Sequence, residues 1–156
     1  MKAKKLLALG FAAIMMVSAM ALPASAAEIQ PMNNHDDTSF AFSFNNLGRS
    51  NTTGRAKQDD TGTYINAYTM CNGGFDVYVD GYNTNTGNWV DCTDKATRGQ
   101  PHLRTTYNPG LISQWVYENG YRTARLGGYK LFASQSVTGV WSPDSQGSYR
   151  YLGSST

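Results

Sequence analysis

The chain has 156 residues, with 13 basic and 11 acidic side chains, 12% aromatic residues and two cysteines. Setting aside residues 1–26, which hold three lysines and no acid, leaves ten basic against 11 acidic residues, a net charge of −1. A balance of this kind excludes recognition of nucleic acid or another polyanion by bulk charge.

Residues 1–26 read as a secretory signal. Lys2, Lys4 and Lys5 precede an apolar run from Leu6 to Leu22, Pro23 breaks it, and Ala24-Ser25-Ala26 is a small-residue cleavage site. Cleavage there predicts an exported, extracellular chain beginning at Ala27. No later run is apolar enough to span a membrane. Residues 27–37 are expected to form a polar N-terminal arm, and 38–156 a single domain. His35-Asp36-Asp37 lies in the arm, but the only other histidine is His102 and no zinc-type spacing appears.

Thr38–Phe44 alternates Phe40, Phe42 and Phe44 with Ser39, Ala41 and Ser43, the pattern of a half-buried strand. Asn45–Gly62 is mostly polar and is expected to be a long connection. Three β-patterned runs follow between Thr63 and Lys95. Parity places Ile65, Ala67, Thr69, Cys71, Phe75, Val77, Val79, Gly81, Val90 and Cys92 toward the core. It leaves Tyr64, Tyr68, Tyr78, Tyr82 and Trp89 on the opposite faces. Asn72-Gly73-Gly74 predicts a hairpin that pairs the first run with the second.

Pairing of the third run through Asn83–Asn88 would set Tyr82 against Trp89 and Asp80 against Asp91. That register opposes like charges. It also holds Cys71 and Cys92 roughly 16 Å apart by strand geometry, whereas a disulfide needs Cα atoms within about 7 Å. One bridge is the usual state of two cysteines in an exported protein. The favoured arrangement therefore takes the third run to a facing sheet, where a Cys71–Cys92 disulfide closes. Such a bridge contributes about 3 kcal/mol on the loop-entropy account.

Leu103–Tyr107 is a short strand candidate, and Asn108-Pro109-Gly110 a turn. Leu111, Ile112, Trp115 and Val116 fit a short helical face, but Asn119-Gly120 is a strong hairpin signal. The hairpin would pair Trp115 with Ala124, turn Trp115, Ala124 and Leu126 to the core, and lay Arg122 along Tyr117. Gly127-Gly128 would end it. Tyr129–Phe132 and Ser134–Trp141 are the last strand candidates, followed by a turn at Ser142–Ser145 and a polar tail. Short strands, frequent turns and no amphipathic helix predict an all-β fold, an antiparallel β-sandwich of about seven or eight short strands.

The segments WVYENGYRTARLGG (Trp115–Gly128) and VTGVWSPDS (Val137–Ser145), together with the apolar leader and the FAFSF strand, resemble an uncharacterised family of small secreted proteins of Gram-positive bacteria. The resemblance implies export and a small domain, and assigns no catalytic residue. Some short secreted chains of this kind resemble bacteriocins.

No phosphate-binding or dinucleotide fingerprint appears, so no cofactor is expected. No G-x-S-x-G appears, and a Cys92–His102 dyad would require a free, exposed thiol. Asp76 and Asp80 lie too far apart along one strand to act as a glycosidase pair, while Asp80 and Asp91 could approach only in the flat register. The expected role is a non-enzymatic extracellular or cell-surface binding protein. Its candidate ligand face is Tyr64, Tyr68, Tyr78, Tyr82 and Trp89, suited to stacking on cell-wall glycan. A bacteriocin-like toxin and an enzyme with an unrecognised site are the alternatives.

Overall fold

A computed structural model of the chain describes residues 34–45, 48–131 and 135–153. The apolar leader 1–26, residues 27–33 of the arm, and residues 132–134 of the last strand candidates lie outside the described residues.

The alternating phenylalanines form β1 (Thr38–Phe44), with Phe40, Phe42 and Phe44 all buried. Two short polar strands follow, β2 (Arg49–Asn51) and β3 (Arg55–Ala56). Next come β4 (Thr63–Ala67), β5 (Phe75–Asn83) and β6 (Asn88–Asp91). A single helical turn, α1 (Lys95–Arg98), is capped by the Asp94 carboxylate on Thr97 N–H. The remaining strands are β7 (His102–Leu103), β8 (Gly110–Ile112), β9 (Thr123–Tyr129) and β10 (Gln135–Ser142).

The strands form two antiparallel sheets. One has the order β1-β10-β4-β8. The other has β2-β9-β5-β6, with β3 also on β9 and β7 also on β5. The all-β, antiparallel expectation holds. The described residues contain ten strands rather than seven or eight. The additions include the polar β2 and β3, inside the expected Asn45–Gly62 connection. They carry no apolar stripe because they only edge β9.

One core lies between the sheets. Phe42, Ile65, Ile112, Val137 and Trp141 face Phe75, Val77, Val79, Ala124 and Leu126, all essentially inaccessible to solvent. Phe42 meets Phe75 edge to face at 6.2 Å between ring centroids, and burial of each such ring contributes about 1.5–3 kcal/mol. The rings come this close because strand glycines lie beneath them. A Cβ on Gly128 would meet the Phe42 ring at 2.7 Å, and one on Gly139 would meet the Asn66 carbonyl oxygen at 2.2 Å.

Both expected hairpin tips are turns, but neither joins neighbouring strands. Gly73 and Gly74 have φ of 75° each, and Gly74 N–H donates to Cys71 O at 3.0 Å. The turn carries the chain from one sheet to the other, since β4 pairs with β10 and β8 while β5 pairs with β9, β6 and β7. The second tip is a tight turn outside any strand. Tyr121 N–H donates to Val116 O and Gly120 N–H to Tyr117 O, both at 3.0 Å, the Schellman pattern with its glycine at positive φ. Val116 is therefore buried, while Trp115 is 46% exposed rather than in the core. Gly127 and Gly128 lie inside β9 instead of ending it. Arg122 does stack on Tyr117, 4.0 Å from the ring centroid.

The flat register, disfavoured from the sequence, is the one adopted. Tyr82 pairs with Trp89 and Asp80 with Asp91. Accordingly Cys71 and Cys92 are not bridged; both are free and buried. Cys92 N–H bonds Val79 O, while Cys71 sits at the turn before Phe75. Four residues of β5 separate those positions, about 13 Å at strand rise. Residues 34–37 are also fastened rather than loose: Asn34 N–H donates to Asp144 Oδ2 at 2.8 Å, and Arg55 donates to Asp36 O at 2.7 Å.

Gly139→Ala should lower stability by about 1–3 kcal/mol through overpacking against backbone that cannot move, read from the midpoint of urea unfolding. Both cysteines should take up a thiol reagent on denaturation without any reductant, and should resist it in the folded protein.

Candidate functional site

The expected five-residue aromatic face is divided by the assignment of β4 and β5 to different sheets. Tyr64 stays on the four-stranded sheet and packs on Tyr149, with ring centroids 4.9 Å apart. Tyr68, just past β4, is stacked on Tyr107 at 5.4 Å. The other three belong to the six-stranded sheet. Tyr78 is buried and donates its hydroxyl to Asn51 Oδ1 at 2.9 Å. Tyr82 and Trp89 are cross-strand neighbours, 5.2 Å apart, as their pairing requires.

Strand alternation builds the rest of that outer face. β5 contributes Asp76, Tyr78, Asp80 and Tyr82; β9 contributes Arg125, Gly127 and Tyr129 in register with them. Gly127 makes room for the Tyr78 ring, which a Cβ there would approach at 2.2 Å. β2 adds Arg49 opposite Tyr129. Between these strands and α1 lies a cleft of about 300 Å³, lined by Arg49, Asp76, Tyr78, Asp91, Lys95, Gln100 and Tyr129. A second hollow of about 270 Å³ adjoins it across Asp76 and Tyr129.

The opposed Asp80 and Asp91 are tolerated because each has its own cation. Arg125 grips Asp80 Oδ2 through Nε at 2.9 Å and through Nη2 at 2.8 Å. Lys95, one helical turn on, pairs with Asp91. Burial raises the Asp80 pKa, with Asp91 adding to the effect and Arg125 only partly countering it. Burial works the same way on Asp91. There, however, hydrogen bonds from Lys95 and Thr93 outweigh it and hold the carboxyl below the usual range.

Two carboxyls shifted in opposite directions are the usual pattern of an acid–base pair. Asp80, however, is 6% exposed, engaged by Arg125, and absent from the cleft lining. A ligand in the cleft meets Asp91 without reaching Asp80. His102 and Asp76 resemble a second catalytic couple, with Nδ1 2.6 Å from Oδ1. The other ring nitrogen faces Gly73 O at 3.0 Å, so both nitrogens address acceptors and neither presents a lone pair to the hollow. Cys92 is buried, with its thiol pKa pushed up by that burial against a partly offsetting bond from Asn119, which makes a poor nucleophile.

Arg49 is different in kind. Among the described residues its guanidinium has no carboxylate within 4.0 Å and no hydrogen-bond acceptor. It lies over two rings, 5.5 Å from the Tyr78 centroid and 5.8 Å from that of Tyr129. The sequence reading passed over it because a lone arginine in a polar connection carries no pattern. On the other sheet, a cleft of about 380 Å³ is lined by His35, Asp36, Asp37, Tyr64 and Tyr149 among others, without Lys or Arg. Among the described residues no group of three or more His, Cys, Asp or Glu side chains could hold a metal ion. No helix among them is long and apolar enough to cross a membrane.

A protein-family profile described as a protein of unknown function, DUF2712, matches residues 22–145. The chain belongs to the DUF2712 family. No curated protein and no solved structure matches it. Membership in DUF2712 assigns no activity, so chemical reasoning about this DUF2712 chain rests on the outer face just described.

In a carboxyl-carbon titration, Asp80 should titrate above the ordinary carboxylate range and Asp91 below it. Arg125→Gln should move Asp80 higher still. Asp80 binds its proton more tightly folded than unfolded, so its contribution to stability declines as pH rises from the ordinary value through the raised one. Asp91 acts oppositely: its contribution is present above the ordinary value and is lost as pH falls through the lowered one.

Proposed function

We propose that this chain is a secreted, non-enzymatic binding protein that holds a cell-wall glycan bearing carboxylate or phosphate groups on the outer face of its six-stranded sheet. The observation that carries the reading is Arg49, a guanidinium with no carboxylate within 4.0 Å among the described residues, placed over tyrosine rings at the mouth of a polar cleft. A guanidinium placed over aromatic rings keeps its N–H donors available to an anion, which it can meet in bidentate geometry. Lys95 and Gln100 offer further donors, Asp76 and Asp91 accept from sugar hydroxyls, and the half-exposed Tyr82 beside Trp89 offers an apolar surface to a sugar ring.

Export is the part that rests on sequence, through the Lys2–Lys5 charge, the Leu6–Leu22 apolar run and Ala24-Ser25-Ala26. The near-neutral mature charge agrees with recognition by one placed cation rather than by a basic surface.

Retention of the purified protein on cell-wall polysaccharide tests the reading. Arg49→Gln should weaken it about tenfold, which corresponds to about 1.4 kcal/mol. Tyr82→Ala and Trp89→Ala should weaken it by a similar amount. Added salt should weaken the unmodified protein by screening the exposed Arg49 and should affect Arg49→Gln much less. Undiminished retention of all three variants would remove the assignment of this face.

A further inference from the structure

The side chains of Lys57 and Asp144 are wholly shielded from solvent, and Lys57 Nζ stands 2.7 Å from Asp144 Oδ1. Lysine is almost never fully buried unless paired, and removing two ions from water costs several kcal/mol each. The surroundings do more than neutralise the pair. Asp144 Oδ2 accepts backbone N–H groups from Asn34 at 2.8 Å and from Gln58 at 3.0 Å. Lys57 Nζ also donates to the Thr61 carbonyl.

A second carboxylate completes the cluster. Asp59 Oδ1 lies 3.6 Å from the same Nζ, and the Asp59 N–H reaches Asp144 Oδ1 at 3.5 Å. Asp59 is itself held by the N–H and hydroxyl of Thr61. The cluster also spans the fold: Lys57 directly follows β3 of the six-stranded sheet, and Asp144 lies two residues beyond β10 of the four-stranded one.

We propose that Lys57 and Asp144 condense to an isopeptide bond that joins the two sheets covalently. The Lys57 ammonium passes one proton to Asp144 Oδ1, 2.7 Å away, and the freed Nζ lone pair attacks Cγ of the neutral carboxyl. The oxyanion that forms sits on Oδ2, where the N–H groups of Asn34 and Gln58 stabilise it. Asp59, 3.6 Å from Nζ, takes the next proton from it and delivers that proton to Oδ1. The Cγ–Oδ1 bond then breaks and Oδ1 leaves with both protons as water. One ammonium and one carboxylate thus become one amide and one water, with no oxidant, metal or further reactant. The amide oxygen keeps its two N–H donors, and the amide N–H keeps the Thr61 carbonyl.

Tryptic digestion of the purified full chain, read by mass spectrometry, tests this. Trypsin does not cut after an acylated lysine, so peptide 56–95 should remain uncut at Lys57. It should be joined to peptide 131–150, with a mass one water below their sum. In Asp59→Asn the branched peptide should be absent while circular dichroism still reports the strands. Cleavage after Lys57 in the unmodified chain, with 58–95 and 131–150 released separately, would overturn the bond. A branch that persists in Asp59→Asn would overturn the part assigned to Asp59.

Discussion

Rings packed onto backbone without side chains set the spacing of this fold. Phe40 rests on Gly139, Phe42 on Gly128, Tyr78 on Gly127 and Tyr121 on Gly81. In each case the aromatic side chain fills the space where a Cβ would stand. The Phe42–Gly128 contact crosses between the sheets and allows a densely filled interior. The Tyr78 contact lies on the outer surface of the six-stranded sheet. There it lays a tyrosine ring flat enough for Arg49 to lie over it. Core packing and the outer surface that carries Arg49 thus depend on the same device, repeated on both sides of β9.

The parts of the fold legible in the sequence were those that local alternation encodes. Thr38–Phe44 was readable residue by residue, because one face is aromatic and the other is small and polar. The inward faces of β4 and β5 were readable for the same reason. Which strand neighbours which was not, because parity says nothing about partners. Asn72-Gly73-Gly74 and Asn119-Gly120 carry residues that accept positive φ, and both do turn the chain. A corner between sheets and a Schellman motif need the same glycine as a hairpin does. Choosing among them requires knowing where β10 and β9 lie, some tens of residues away.

The candidate site was half legible. Tyr82 and Trp89 come together as a local hairpin requires, and Arg125 was the missing term: its charge removes the objection to opposing Asp80 and Asp91. Tyr64 and Tyr68 share parity with the other tyrosines, yet they lie on the other sheet. Arg49 and Lys57 sit in a polar stretch with no periodicity. Their importance depends on distant partners, Tyr78 and Tyr129 for one and Asp144 for the other.

The position of β10 bears on how the chain reaches this structure. β10 lies between β1 and β4 in the four-stranded sheet, so among the described residues the first strand has its only ladder partner in the last. Of the consecutive strands, β5 and β6 alone pair directly. Closing so long a loop carries an entropic cost before any contact offsets it, and folds dominated by distant pairings form slowly. During synthesis the Phe40–Phe44 stripe emerges early and waits through nearly the whole remaining chain for its cover. For that interval it is the segment most exposed to self-association, and assembly of the four-stranded sheet is timed by the arrival of residues 135–142.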